Sequence, residues 1–359
     1  MGPKKTAHRN PVSVSQQPPP VVLSASLRTT DTEKHATSKS LYGDHKARVS
    51  SNVQNIHDRI RLSAYKSILG TLSGKRVLHL GCGMGLISML VARGNAKQVV
   101  AVDSSAIVDC SNVVAQQNKL ANIQFLRGKI QEVIPVPSSE SEKFDIVLCE
   151  WNGAFLTNDS ILDDLLYCRD YLLAHGGLIC PDRSSMHVVG ISDFKYYDES
   201  VNFWDDVYGF QMRSMKKMVL QEASTCHIPS SCILTTAGLV HTVDIHTLSA
   251  DKKAFSSTFV IKVSKKGTVH YLTFFVDATF TNPQDTGANF ALGFNPGGSS
   301  TWTEVSVPLS EAIPVNAMDV LQGTVKVSPR TRLTEIEVSV TCVNGIGSFN
   351  SSGKYVYLY

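Results

Sequence analysis

Charge is scarce in this sequence, and no part of it is long and apolar enough to span a membrane. Asp, Glu, Lys and Arg make up 18% of 359 residues and leave a formal charge of +3, with no basic stripe interleaved with aromatics. A polyanionic partner calls for such a stripe, so direct nucleic-acid binding is not expected. No uninterrupted apolar run approaches the ~20 residues of a membrane-crossing helix, so no membrane association is expected. The eight cysteines (82, 110, 149, 168, 180, 226, 232 and 342) form no C-x-x-C pair. Neither a zinc site nor a disulfide framework follows from that spacing; buried thiols and no metal are expected. Met1-Gly2-Pro3-Lys4-Lys5-Thr6 lacks a signal-peptide core and meets the loose myristoylation pattern as short polar starts do by chance. The cytoplasm is the expected compartment, the nucleus the alternative.

What is present is apolar: 43% of residues are hydrophobic, enough for a sizeable core, and 359 residues suffice for two ordinary domains or one with a large elaboration. Residues 1–40 are rich in Pro, Ser, Thr and His around Pro18-Pro19-Pro20, a composition that buries too little surface to offset its ordering entropy. A disordered tail is expected there. From about 52 to 72, Ile56, Ile60, Ala64, Ile68 and Leu72 recur every four residues and predict helix. A strand–turn–helix unit follows, with a strand over Arg76–Leu80, glycines at 81, 83 and 85, and a helix over Leu86–Arg93. A second strand over Gln98–Val102 ends at Asp103, and a third apolar run from Phe144 to Cys149 ends at Glu150-Trp151. Strands alternating with helices predict a parallel sheet with its binding groups at the strands' carboxyl ends.

Past about 182 the pattern changes to β segments at 186–191, 238–246, 256–264, 268–276, 302–308, 320–327 and 333–342, separated by Gly, Pro, Asn and Ser. These predict an all-β module, barrel or sandwich, interrupted by a helical insertion. In the insertion Phe194, Tyr197, Val201, Trp204 and Tyr208 recur at steps of three and four as one apolar stripe. Gly209 interrupts it, and Met212, Met215 and Met218 continue a second stripe. The expected fold is α/β plus β: a cofactor-type domain over 41–180, then a β domain over 181–359 with its insertion at about 193–222.

A glycine turn directly after a buried strand lets backbone approach a ligand, and an acid ending the next strand can accept both ribose hydroxyls. Gly81, Gly83, Gly85 and Asp103 fit that scheme. The spacing is G-x-G-x-G, and Leu86 stands where a dinucleotide loop needs its third glycine, so adenosine without a pyrophosphate is favoured over NAD. The alternative is a tight turn that holds no ligand.

Five motifs in order resemble the protein arginine methyltransferase family, over a match from about Tyr42 to the C-terminus. Val77-Leu78-His79-Leu80-Gly81-Cys82-Gly83-Met84-Gly85 is similar to its V-L-D-x-G-x-G-T-G cofactor motif. Cys149-Glu150-Trp151-Asn152-Gly153 through Asp159-Ser160-Ile161-Leu162 is similar to its double-glutamate loop, S-E-W-M-G…E-S-M-L. Gly177–Arg183 resembles G-L-I-F-P-D-R, Asp205–Phe210 the N-V-Y-G-F segment of the dimerisation arm, and Ser300-Thr301-Trp302 the T-H-W loop. The resemblance implies a Rossmann-type class I methyltransferase domain, a C-terminal β-barrel, and a helical arm that docks on a second subunit. It also implies methyl transfer from S-adenosylmethionine to a guanidino nitrogen of a protein arginine.

The departures from the family pattern fall on the positions that carry the chemistry. Two carboxylates suit a planar guanidinium because they take it by paired hydrogen bonds. Glu150 keeps the first; the second aligns with Asp159, one methylene short, which withdraws it by roughly 1.5 Å. Misplacing a positioned reactant by about 1 Å can cost ~10²-fold. Asp159 reads equally as a helix N-cap. The Y-F-x-x-Y lid element falls on Tyr42-Gly43-Asp44-His45-Lys46, losing its Phe and second Tyr, and Asn55 replaces an active-site methionine. His79 and Gln131 stand where the family has acids that meet the cofactor, and Thr301 replaces the T-H-W histidine. Arg61 matches the residue that meets the cofactor carboxylate and could equally form an ion pair.

These losses predict a non-catalytic, prozyme-type subunit that pairs with a catalytic type I relative and activates or stabilises it. The pair would be a heterodimer or a dimer of heterodimers acting on Arg-Gly-rich proteins. S-adenosylmethionine binding by this chain is expected to be weak or absent. Glu150, Asp159 and Thr301 would be catalytic remnants, and Arg61, Gly81, Gly83, Gly85 and Asp103 cofactor remnants. Phe194, Tyr197, Val201 and Trp204 are expected on one exposed stripe that a partner covers. An active methyltransferase with a divergent site, and a methyltransferase-fold module that binds other proteins, are the alternatives.

Overall fold

The structure, a computed structural model, describes residues 47–281, 290–293, 302, 304–330 and 333–358. The expected tail, the Tyr42–Lys46 element and Thr301 lie outside the described residues. Three short helices come first: α1 (Val49–His57), α2 (Arg59–Ser67) and α3 (Leu69–Leu72). The four-residue spacing ran through this stretch unbroken, but the chain interrupts it at Asp58, whose backbone is extended. The Asp58 carboxylate accepts the Arg61 N–H at 2.8 Å, capping α2. Ala64, Ile68 and Leu72 face inward, as their spacing implies.

Five strands form a parallel sheet: β1 (Arg76–Leu80), β2 (Gln98–Asp103), β3 (Ile123–Arg127), β4 (Phe144–Leu148) and β5 (Leu173–Cys180). They are connected through α4 (Leu86–Arg93), α5 (Ile107–Gln117), α6 (Ile130–Val133) and α7 (Ile161–Tyr167). The strand order is β3-β2-β1-β4-β5, with every pairing parallel. Covered on both faces, β1, β2 and β4 are mostly apolar, interrupted inside only by His79 in β1 and Asp145 in β4, which is why their sequences read as buried strands. The order reverses between β1 and β4, so a crevice opens at their carboxyl ends. Both the glycine turn and Glu150 sit there.

The antiparallel part begins with β6 (Arg183–Ile191), followed by α8 (Phe194–Ser200), α9 (Arg213–Val219) and β7 (Ser224–Cys226). Then come β8 (Gly238–Asp244), β9 (Phe255–Lys262), β10 (Gly267–Phe280), β11 (Phe290–Gly293) and β12 (Glu304–Val315). The last three strands are β13 (Val320–Pro329), β14 (Leu333–Asn344) and β15 (Gly347–Leu358). One sheet runs β7-β12-β10-β6-β8, with β11 on β10; the other runs β15-β14-β13-β9. Along β13 and β14 buried and outward residues alternate, and the inward set (Leu321, Val325, Val327, Ile336, Val338 and Val340) fills the space between the sheets. One apolar cluster continues from there through Phe274 and Phe155 to Trp151 and Leu78 in the parallel-sheet domain. The Trp151 indole N–H donates to the Pro181 carbonyl at 3.0 Å, fastening the β4 loop to the junction.

The insertion corrects one expectation. Its stripe is not exposed as a unit: Val201 is 1% exposed, and Tyr197 and Trp204 are half-buried. The Tyr197 hydroxyl donates to the Leu309 carbonyl at 3.1 Å, so this side of α8 packs on the molecule's own β12. Periodicity identifies an apolar face but not what covers it. The outward set is instead Phe194, Tyr196, Phe203, Tyr208, Phe210, Met215 and Met218, led by Tyr208 at 94% exposure. Among the described residues no helix is long and apolar enough to cross a membrane.

Candidate functional site

Gly81, Gly83 and Gly85 all adopt left-handed backbone, at φ of 70°, 52° and 74°. A Cβ on Gly81 would fall 2.6 Å from Ile161 Cδ1, and one on Gly85 2.3 Å from a Phe125 ring carbon. Conformation and crowding therefore both demand glycine at these two positions. The turn is held to β2 by the Gly81 N–H, which donates to the Val102 carbonyl at 2.8 Å. Asp103 closes it from the other side. One Asp103 carboxylate oxygen accepts the Gly83 N–H and the other the Ser105 N–H, each at 2.8 Å.

Arg61, on α2, reaches across the crevice to Glu150. Its Nε donates to Glu150 Oε1 at 2.6 Å, with the two side chains 13% and 26% exposed. Burial, the largest single influence, would lower the Arg61 pKa; the charge and hydrogen bond of Glu150 together with Tyr65 and Asp58 outweigh it, and the net direction is upward. Tyr65, fully buried one turn along α2, lies beneath the Arg61 guanidinium at 5.6 Å. Burial, and then the Glu150 charge, push its hydroxyl well above the usual range. Arg61 and Glu150, singled out separately in the sequence, are thus brought together as each other's counter-ion.

The second carboxylate acts as a cap. Asp159 Oδ1 accepts the Ile161 N–H at 3.0 Å, at the start of α7. Gln131 is turned to the same helix, its amide donating to Asp164 at 2.8 Å. His79 is 2% exposed, with Nδ1 2.6 Å from Ser88 Oγ. Burial, reinforced by the Arg61 charge, lowers its pKa to about 3, so the ring is neutral at physiological pH. Asn55 is exposed on α1. Among the described residues no group of three or more His, Cys, Asp or Glu is placed to hold a metal.

Beside Glu150 lies a cavity of about 250 Å³, lined by Glu150, Asn152, Gly153, Ala154, Val276, Trp302 and Tyr357. Three of these come from β10, β15 and the segment before β12. Tyr357, more than 200 residues from Glu150, carries no local signal that could have announced it. Asn152 could have been found: it is a polar residue where the double-glutamate motif has methionine. A larger groove of about 820 Å³, running past Asp159, Asp163, Lys253 and Arg330, shares Gly153, Ala154 and Tyr357 with this cavity. Of the outward insertion residues, Tyr208 and Phe210 form a tight turn closed by paired backbone bonds between Val207 and Phe210.

Comparison with known proteins covers both halves of the chain. The family model of the arginine methyltransferase oligomerization subdomain matches residues 182–341, and a methyltransferase domain model matches residues 71–176. The Saccharomyces cerevisiae protein arginine N-methyltransferase 1 is 30% identical over 310 residues, 85% of this chain and 86% of that protein. The Arabidopsis thaliana protein arginine N-methyltransferase 1.1 is 29% identical over 316 residues, 86% of this chain and 78% of that protein. Among solved structures, the Trypanosoma brucei PRMT1 enzyme–prozyme heterotetrameric complex with AdoHcy has a chain 47% identical to this one, with a TM-score of 0.81. The match covers 87% of this chain and 99% of that one. The Arabidopsis thaliana protein arginine methyltransferase 10 shares the fold at a TM-score of 0.74 and 22% identity, covering 87% of this chain and 98% of that one.

Proposed function

Since this chain belongs to the protein arginine methyltransferase family, we propose that it serves as a non-catalytic subunit, pairing with a catalytic type I relative and raising that relative's activity. The observation that carries this is the 2.6 Å pair between Arg61 and Glu150. Methyl transfer needs Glu150 to hold a substrate guanidinium and Arg61 to hold the cofactor carboxylate; here each engages the other. Asp159 caps α7, Gln131 bonds Asp164, and both oxygens of Asp103 already accept backbone N–H groups. Asp103 keeps lone pairs for a ribose, but Arg61 and Gln131, which would meet the two ends of S-adenosylmethionine, already bond Glu150 and Asp164. Weak cofactor binding by the isolated chain is proposed on that ground.

The insertion supports the pairing half of this reading. Tyr208 and Phe210, in one tight turn, are 94% and 72% exposed, and Phe194 on α8 is 66% exposed, apolar surface of the insertion that calls for a cover. In the similar Trypanosoma brucei complex an enzyme assembles with a prozyme, and the same division of roles is proposed here. The assembly would be a heterodimer or a dimer of heterodimers, act on Arg-Gly-rich proteins and reside in the cytoplasm or nucleus. Residues 41–180 would form the cofactor-type domain and 181–359 the barrel domain, with the docking arm at about 193–222. Docking can raise the partner's activity by shifting it toward its competent state.

The intact glycine loop with Asp103 favours a second reading, an active methyltransferase with a divergent site. One experiment separates the two. This chain, its catalytic relative and the two co-expressed are assayed for transfer of labelled methyl from S-adenosylmethionine to an Arg-Gly-rich protein. The expected result is no transfer by this chain, and at least ~10-fold more by the pair than by the relative alone, equivalent to about 1.4 kcal/mol of barrier. A relative whose rate is unchanged by co-expression would overturn the proposal. Transfer by this chain alone, abolished by Glu150→Gln, would establish the second reading.

A further inference from the structure

The outer face of the sheet β15-β14-β13-β9 is ordered along its two central strands. Leu321 and Cys342 lie opposite one another and point inward, so their neighbours Val320 and Val343 stand opposite one another on the outer face. The outward pairs that follow are Gln322 with Thr341, Thr324 with Ser339, and Lys326 with Glu337. The middle of the face is therefore short and uncharged, with the Thr324 and Ser339 hydroxyls bonded at 2.7 Å. Charge enters at one end, where Lys326 Nζ lies 3.3 Å from Glu337 Oε1. The other end is apolar. Val343 is 77% exposed there, and Met318 and Ile346, in the adjoining turns, are 66% and 52% exposed. The Asn344 amide donates to Asp319 at 2.7 Å and ties those two turns together. Clustered exposed apolar side chains mark interaction sites, and interfaces keep charge off their centre and at their rim.

The order of the pairs identifies what covers them. Sheets pack face to face about 10 Å apart, with strand directions within about 30° of each other. A twofold axis lying between β13 and β14 and parallel to them sets β13 of one copy over β14 of another. Val320 then meets Val343, Thr324 meets Ser339 and Lys326 meets Glu337, and symmetry makes each contact twice. Apolar falls on apolar, hydroxyl on hydroxyl and ammonium on carboxylate. An axis running across the strands would set Val320 on Lys326 and Val343 on Glu337, burying charge against apolar surface. Short Thr and Ser side chains let the sheets approach at the centre. Lys262 and Lys354, on the flanking strands, fall at the rim and keep their water. The face is thus complementary to itself.

We infer that this sheet face is a contact between two copies of this chain, β13 of each lying over β14 of the other. The contact uses neither the insertion nor the crevice, so it goes beyond the pairing proposed above and does not rest on it. The full chain, alone and co-expressed with the proposed catalytic partner, is sized by sedimentation velocity. The unaltered chain should form particles that hold two copies of it. Ser339→Arg sets a guanidinium at the centre of the contact and should halve the particle's mass while the far-ultraviolet circular dichroism stays unchanged. Lys326→Glu and Glu337→Lys each place like charges opposite one another and should weaken the self-association at least ~10-fold. The doubly swapped K326E/E337K chain should regain it, because both the pair within each chain and the pair between chains are restored. A mass unchanged by Ser339→Arg, a double swap no better than either single one, or an unaltered chain present as one copy per particle in both samples would each overturn the inference. An unchanged mass would leave the pairing with a catalytic relative untouched, and a failed co-expression assay would leave this contact untouched.

Discussion

His79 shows how much one residue's setting changes its chemistry. In sequence it stands as a missing acid; in the fold it is a neutral ring on Ser88, with its pKa lowered from 6.5 to about 3. Between those values the unfolded chain binds a proton that the folded chain refuses, so stability falls as pH drops from about 6.5 toward 3. The slope from one such group is about 1.4 kcal/mol per pH unit. Chemical denaturation between pH 4 and 7 should therefore give a shallower decline for His79→Gln than for the unaltered chain. An identical decline would assign the slope to other groups. Arg61 and Asp159 illustrate the limit of reading residues singly. Each had two readings in sequence, cofactor contact or ion pair for Arg61, substrate carboxylate or helix cap for Asp159. The 2.6 Å contact to Glu150 and the 3.0 Å contact to the Ile161 N–H show which bonds the fold makes.

At the scale of elements, the insertion separates what periodicity can say from what it cannot. Steps of three and four located an apolar face, yet Tyr197 packs on the molecule's own barrel and Val201 is buried, while Tyr208 and Phe210 are exposed. The two classes should respond oppositely to substitution. Val201→Ala opens a cavity under α8 and should cost on the order of 2 kcal/mol in stability. Tyr208→Asn keeps a residue that accepts the left-handed backbone at φ 52° and should leave stability within about 0.5 kcal/mol. It should nevertheless weaken association with the proposed catalytic partner at least ~10-fold, as loss of an exposed aromatic anchor does. Thermal melts together with sedimentation of the mixed subunits read both effects; a stable, fully associating Tyr208→Asn would remove the arm from the interface. Strands were legible where both faces or one whole face is apolar. β15 was not, because Ser, Gly, Asn and Lys dominate its middle, and only Ser351 and Tyr355 are buried.

At the scale of the molecule, the parallel-sheet domain and the barrel share one apolar cluster that runs from Leu78 through Trp151 and Phe155 to Phe274 and Ile336. A core continuous across the junction couples the halves, since neither can open without exposing side chains of the other. Unfolding followed by tryptophan fluorescence and by far-ultraviolet circular dichroism should give coincident midpoints. Two separated transitions would show the halves to be independent. The cavity beside Glu150 belongs to this scale as well, since its walls come from β10, β15 and the β4 loop and exist only when both halves are docked.

From the sequence alone came the α/β-then-β order, the glycine turn with Asp103, the family resemblance and the positions that depart from it. All of these rest on local spacing, on chain geometry that repeats every two or 3.6 residues, or on short contiguous motifs. Tertiary structure alone decided that Arg61 meets Glu150, that Val201 is covered while Tyr208 is bare, and that Asn152 closes a pocket with Tyr357. Those are pairings between residues tens to hundreds of positions apart, and no local pattern encodes which distant surface a side chain will meet once the layers pack.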